Sequence, residues 1–115
     1  MNRKSELIEI SGVMDTSADY FPFYEFAVNY IQGMKNKGNN SALDFIETIR
    51  KLGNNSGIRN NHYAFGKLSK SPSAMIKTWC LDIVCKNKEL ENLTLDELHY
   101  VMGYCARRAK ISEAK

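Results

Sequence analysis

Apolar side chains recur at three- and four-residue spacing in four separate stretches of this chain, the period of a helix that buries one face. In the first, Phe23, Phe26, Ala27, Tyr30, Ile31 and Met34 form a single stripe. Asp19 or Phe21 can cap that helix, and Pro22 falls in its first turn, where a missing N–H costs nothing. The helix should run to about Lys35 and end at Gly38. The second stripe comprises Ala42, Phe45, Ile46, Ile49 and Leu52, opened by Ser41 with Asp44 in its first turn and closed by Gly53. The third follows Ser71-Pro72 and comprises Met75, Ile76, Trp79, Cys80, Ile83 and Val84, with Lys86 and Lys88 suiting its negative C-terminal end. The fourth comprises Leu95, Leu98, Met102, Cys105 and Ala109 and extends to about Lys110. Thr94 and Glu97 have the spacing of a capping box at its start, in which each side chain satisfies a backbone N–H of the other's turn.

Between these stretches the pattern weakens. Residues 54–61 are rich in glycine, asparagine and serine and read as a loop, and a short helix over 62–68 should follow. Residues 1–14, with Leu7, Ile8, Ile10, Val13 and Met14, fit either a short helix or an extended arm. The expected fold is all-α: a compact bundle of four to five helices forming a single domain over residues 1–115. Burial of Trp79, Phe26, Phe45 and Ile46 should supply about 1.5 to 3 kcal/mol each.

Composition narrows the setting. A chain of 115 residues with 43% hydrophobic and 25% charged side chains has the mix of one ordinary folded domain. Its most apolar window, residues 20–31, is interrupted by Pro22, Glu25 and Asn29 and falls short of the roughly 20 apolar residues a bilayer span needs. Arg3, Lys4, Glu6 and Glu9 interrupt the first ten residues, so no secretory signal is expected there. Cys80, Cys85 and Cys105 are odd in number and lie in helical patterns, which suits reduced thiols. The expectation is a cytoplasmic protein that does not engage a membrane.

The pattern holds no constellation suited to catalysis. Cys105 and His99 are six residues apart on one helix and so lie on different faces, and Cys80 sits on a core stripe. Cys80 and Cys85 lack the close spacing that brings ligands onto one metal ion. No phosphate-binding glycine loop of the P-loop type is present. The carboxylate pairs Asp96/Glu97 and Glu89/Glu91 lie at a helix start and in a linker, where negative charge has an ordinary role. A non-enzyme that uses no cofactor and no metal is expected.

Charge distribution points elsewhere. Residues 1–25 hold two basic and five acidic side chains, residues 26–81 eight basic and two acidic, and residues 82–115 six of each. From Thr48 to Leu81 there is no acidic residue, while Arg50, Lys51, Arg59, Lys67, Lys70 and Lys77 are all basic. Phosphates are attracted to such a cluster, and unstacked bases can lie on His62, Tyr63 or Phe65. The plain alternative is a solvated basic face over core aromatics. A second patch follows on the last helix, where Tyr100 and Tyr104 are one turn apart and Arg107 and Arg108 occupy the next turn. There the alternative is cations that stabilise a helix C-terminus and tyrosines that close a core edge. The nucleic-acid-binding residues expected are Arg59, Lys67, Lys70, Lys77, Tyr100, Tyr104, Arg107 and Arg108.

The run Gly38-Asn39-Asn40-Ser41-Ala42-Leu43-Asp44-Phe45-Ile46 resembles the glycine and Ala-Leu-x-Phe helix of the small helical subunit of type III-B CRISPR effector complexes. The later run from Tyr63 through Leu68 to Trp79 is similar to that family too, as is a last helix ending in Tyr104, Arg107 and Arg108. Residues 54–61 and the short connection over 86–93 depart from the family's pattern. The resemblance implies a non-catalytic subunit of an antiviral ribonucleoprotein, stacked head to tail with its basic face lining a channel for guide and target RNA. The partners expected are single-stranded RNA, other protein subunits of the complex and further copies of the chain. A second expectation, of another class, is a small protein-binding adaptor or inhibitor of phage or mobile-element origin whose basic stretch meets an acidic partner surface.

Overall fold

The four stripes and the amphipathic start of the chain all become helices in the computed structural model, which describes residues 4–54 and 73–114. In chain order these are α1 (Lys4–Gly12), a 3-10 turn (Ala18–Tyr20), α2 (Phe21–Asn36), α3 (Ala42–Asn54), α4 (Ser73–Lys77), a π-helical stretch (Thr78–Val84), a second 3-10 turn (Lys88–Asn92) and α5 (Leu95–Ala114). The result is an all-α bundle around one core. Among the described residues, no helix is long and apolar enough to cross a membrane.

The chain's stop and start signals act locally, though not always through the residues the pattern suggests. Pro22 does lie in the first turn of α2, but the capping position belongs to Tyr20, without a side-chain bond. Gly38 adopts φ +84°, a left-handed conformation open to glycine at little cost. It donates its N–H to the Lys35 carbonyl at 3.0 Å while Asn39 donates to Met34 at 3.1 Å, the paired bonds of a Schellman end. Asn39 also organises the next start: its side-chain oxygen accepts from the Ser41 N–H at 3.1 Å and its amide donates to Asp44 at 3.1 Å. The side-chain bonds at this start therefore come from Asn39, where the pattern predicts Ser41 as their source. At α5 the capping box forms as expected, with Thr94 N–H donating to Glu97 at 3.0 Å and Glu97 N–H to the Thr94 hydroxyl at 3.1 Å.

The α2–α5 pair is the backbone of the bundle. The two helices run antiparallel: Lys35 near the end of α2 pairs with Asp96 at the start of α5 at 2.6 Å, and Lys110 late in α5 sits over the Phe21 ring that opens α2. Helix α1 lies along α5 with Leu7 and Ile10 buried, and Met14, just past its end, is buried as well. Ser11 and Met14 approach the Cys105 thiol, the sulfur of Met14 lying at 3.9 Å. Lys4–Gly12 is thus a packed helix; of the two forms open for residues 1–14, the helical one is realised over that described stretch. Helix α3 packs on the π-helical stretch and the second 3-10 turn, and all five residues of its predicted face are buried.

Trp79 is the centre of the core. It is fully buried, stacked on Phe23 at 5.6 Å between ring centroids and met edge-on by Tyr24 at 5.7 Å. Tyr24 lies outside the predicted stripe, because a hydroxyl marks a residue as belonging to the surface when only the pattern is read. Here that hydroxyl donates to the Asp15 carbonyl at 2.6 Å, so the ring can be buried without stranding a donor. Phe26, expected in the core, is only half-buried and packs on Tyr30 at the edge.

Two departures share one cause. Cys85 donates its N–H to the carbonyl of Cys80, five residues back, so the helix widens by one residue after Lys77. Buried positions then fall five apart, Trp79 with Val84 and Cys80 with Cys85, and Ile83 of the expected α-helical stripe turns partly outward. Gly53 does not stop α3, which continues to Asn54. It is buried against the widened stretch, where a Cβ would lie 2.8 Å from the Leu81 side chain and 2.9 Å from Cys80 Cβ. The glycine serves a close approach of two helices.

Candidate nucleic-acid interface

The helical period of α5 decides what its outer side carries. With Leu98, Met102, Cys105 and Ala109 turned into the core, Tyr100, Tyr104, Arg107 and Ile111 fall at i, i+4, i+7 and i+11 on the opposite side. Tyr100 and Tyr104 are half-buried and both arginines are exposed. The Arg107 and Arg108 guanidinium carbons lie 5.8 and 5.9 Å from the centre of the Tyr104 ring. Such contacts are worth about 0.5 to 1 kcal/mol at exposed sites, enough to orient the side chains while leaving their N–H groups free to donate. Among the described residues neither guanidinium is paired with a carboxylate. Tyr104, Arg107 and Arg108 therefore form one constellation, with Tyr100 a turn away.

A second cation–aromatic contact, Lys110 with Phe21, lies six residues past Tyr104 and so toward a different face of α5. The Lys110 ammonium lies 4.9 Å above the Phe21 ring, one turn beyond Arg107. Neither residue is among those the sequence pattern selects for the site. Lys110 is legible as the next cation on the helix, but its aromatic partner comes from α2, about ninety positions earlier in the chain, and local periodicity carries no information on such a pairing.

The middle of the chain behaves differently. Lys77 is exposed at the end of α4, on a different helix from the α5 cluster. Arg59, Lys67 and Lys70, with the expected aromatics His62, Tyr63 and Phe65, lie outside the described residues. Arg50 is turned toward a carboxylate from a distant segment, with Glu91 at 4.0 Å, and Lys88 approaches the same oxygen at 3.6 Å. One of the six cations of the acid-free stretch thus faces partial neutralisation, while the α5 arginines do not.

Burial governs the titratable groups near the core. Burial pushes the Cys105 thiol up to about 12, with nearby Arg108 opposing weakly, and burial also raises Cys85. Burial and the Lys35 charge lower His99, while its neighbour Asp96 is held below the ordinary carboxylate range by Lys35. A nucleophilic cysteine needs the reverse shift, toward thiolate. All three cysteines are buried and none forms a disulfide, and among the described residues no three His, Cys, Asp or Glu side chains gather as a metal site.

The cysteine shifts have a measurable consequence. In the unfolded chain a thiol loses its proton near its ordinary value of about 9, whereas Cys105 in the fold holds its proton to about 12. Between these values the unfolded state binds fewer protons, so stability should fall as pH rises through that window and be unaffected by Cys105 below it. Urea midpoints at pH 7, 9 and 10.5 should decline over the last interval, and Cys105→Ala should flatten the decline. At pH 8, iodoacetamide should modify the thiols only once urea has unfolded the chain; rapid labelling of the native protein would contradict the burial described.

No protein-family profile matches the chain, and neither the curated proteins nor the solved structures contain a significant match to it.

Proposed function

We propose that this chain is a non-catalytic, cytoplasmic helical subunit that binds single-stranded RNA across the outer side of α5. The observation that carries the reading is the Tyr104 ring approached by two exposed guanidiniums that no described carboxylate neutralises. A ring offers a stacking face to any base, and arginine forks grip phosphates, so the two chemistries of sequence-tolerant strand binding occur within one turn of helix. Tyr100 lies one turn toward the N-terminus and the Lys110–Phe21 contact one turn past Arg107, so the strand would wind partly around the helix between them. In this reading Arg59, Lys67, Lys70 and Lys77 add phosphate contacts, and the chain works within a larger ribonucleoprotein, for which the resemblance to type III-B CRISPR small subunits offers one assembly.

A titration of labelled ten-nucleotide single-stranded RNA at 50 and 200 mM salt tests the proposal. Arg107→Ala with Arg108→Ala should weaken binding about tenfold or more and lower the salt slope by about 1.4, the contribution of two phosphate contacts on a single strand. Tyr104→Ala should weaken binding about tenfold while leaving the slope unchanged, because stacking releases no counterions. Absence of binding, or binding indifferent to salt, would remove the reading.

One feature favours the adaptor as a second reading. Val13, 77% exposed, lies in a groove lined by Glu9 and Glu89 and also by Lys86 and Lys88. An apolar residue left open among charges of both signs suits a protein partner. Co-purification of a protein that survives nuclease treatment would support it over the first.

A further inference from the structure

At the start of α2, Ala18, Asp19, Phe21, Pro22 and Lys110 line a recess of about 410 Å³, with Arg107 three residues before Lys110 on α5. Its floor is Phe21, half-buried: part of the side chain packs on the core, and the ammonium of the exposed Lys110 lies 4.9 Å from the ring centre. A lysine has four rotatable side-chain bonds and can leave that face at little cost, so the ring can be uncovered for a planar ligand. Pro22 supplies a second apolar edge.

The rim carries the selectivity. Asp19 is exposed, and no described residue gives it a hydrogen bond or an ion pair. Asp15, four residues earlier, is by contrast engaged, accepting from the Ser17 N–H at 2.9 Å and from the Ser17 hydroxyl. Asp15, Asp19 and Asp82 all act on the neighbouring Tyr20, raising its phenol in addition to the larger effect of burial, so this end of the molecule is locally negative. Within the recess the Asp19 carboxylate and the Lys110 ammonium both face the opening, so a neutral planar group with N–H donors for the one and an acceptor for the other would be favoured there. One turn away on α5 the potential reverses at Arg107 and Arg108.

We propose that the recess receives one unpaired guanine base from a strand whose phosphates lie on Arg107 and Arg108; the assignment rests on the function proposed above. A free carboxylate offers two parallel acceptors and no donor. Guanine alone among the four RNA bases has two adjacent donors, N1–H and the exocyclic N2–H, on its Watson–Crick edge. Adenine and cytosine place an acceptor beside their amino group, and uracil places its N–H between two carbonyls, so each would set a lone pair against Asp19. Phe21 stacks on the guanine face, and the displaced Lys110 ammonium donates to its O6 or to the adjacent phosphate.

The test compares three labelled decamers by fluorescence anisotropy: all uridine, one central guanosine, and one central adenosine. The guanosine strand should bind about tenfold tighter than the other two, and Asp19→Asn, which replaces one acceptor with a donor, should bring it down to the all-uridine value. In parallel, guanosine monophosphate titrated into isotope-labelled protein should shift the Phe21 ring and Asp19 signals, a readout independent of strand binding. Equal affinity for all three strands would overturn the guanine site while leaving the strand reading intact, and a guanosine preference that survives Asp19→Asn would overturn it too. If no strand binds but the mononucleotide shifts Phe21 and Asp19, the recess is supported and the strand path fails. If neither occurs, both fail.

Discussion

Replacing Trp79 with alanine should cost about 3 to 5 kcal/mol and leave the chain largely unfolded or loosely collapsed at 37 °C. The size follows from position. Trp79 is fully buried and joins α2, through Phe23 and Tyr24, to the half of the molecule built from α3 and the widened helix. Alanine would remove both ring contacts and open a cavity that helices held at both ends cannot close. A domain of this size has a total stability of about 5 to 15 kcal/mol, so one such loss consumes a large fraction of it. Urea titration followed by helical circular dichroism measures the effect. Trp79→Phe, which keeps a ring against Phe23, should lose clearly less, and an alanine variant with a midpoint near that of the parent protein would contradict the central role given to this residue.

The second large effect is expected at Gly53, where the usual benefit of alanine in a helix should reverse. Exchanging a glycine in a helix interior for alanine ordinarily stabilises by roughly 0.5 to 1 kcal/mol, an upper bound for Gly53 in the last described turn of α3. At Gly53 the new methyl would sit 2.8 Å from both Cγ and Cδ2 of Leu81 and 2.9 Å from Cys80 Cβ. The Leu81 tip can move, but its Cγ and the Cys80 Cβ are tied closely to the backbone, so the two helices must separate. Overpacking of this kind costs about 1 to 3 kcal/mol, more than the propensity gain, and Gly53→Ala should lower the urea midpoint. Gly103, inside α5, where an added Cβ would meet no atom within 4 Å, is the matched control and should be stabilised by alanine. Equal responses at the two sites would show that the close approach at Gly53 is relaxed in solution.

Much of this architecture can be read from residue spacing, because helix formation and one-sided burial are local properties. The α3 face from Ala42 to Leu52 and the α5 face from Leu95 to Ala109 are buried as the period requires, and Thr94 and Glu97 close the box that their spacing announces. What spacing does not reveal depends on distant partners. Tyr24 enters the core because Asp15 receives its hydroxyl, Gly53 is needed because Leu81 arrives from another helix, and Ile83 turns outward because the hydrogen-bond register changes after Lys77. The site divides in the same way. Tyr100, Tyr104, Arg107 and Arg108 share a helix, so their grouping follows from its period, whereas Phe21 meets Lys110 only through the antiparallel pairing of α2 and α5. Cations spread over several segments, such as Arg50 and Lys77, have no such geometric guarantee, and these two project from different helices.

The widened turn in the helix that carries Trp79 gives this protein an uneven tolerance to changes in length. That stretch contains one residue more than a regular helix of the same rise would, and the surplus faces solvent at Asp82. Excising Asp82 would bring the two buried pairs from a spacing of five to the four that an ordinary helix repeats, so the hydrophobic register on both sides could be kept. The same excision within α3 would swing every later side chain by about 100° about the helix axis and take Ile49 and Leu52 away from their neighbours. Shortened and lengthened forms of this chain should therefore be found with their difference at the bulge, and not in the helix packed against it.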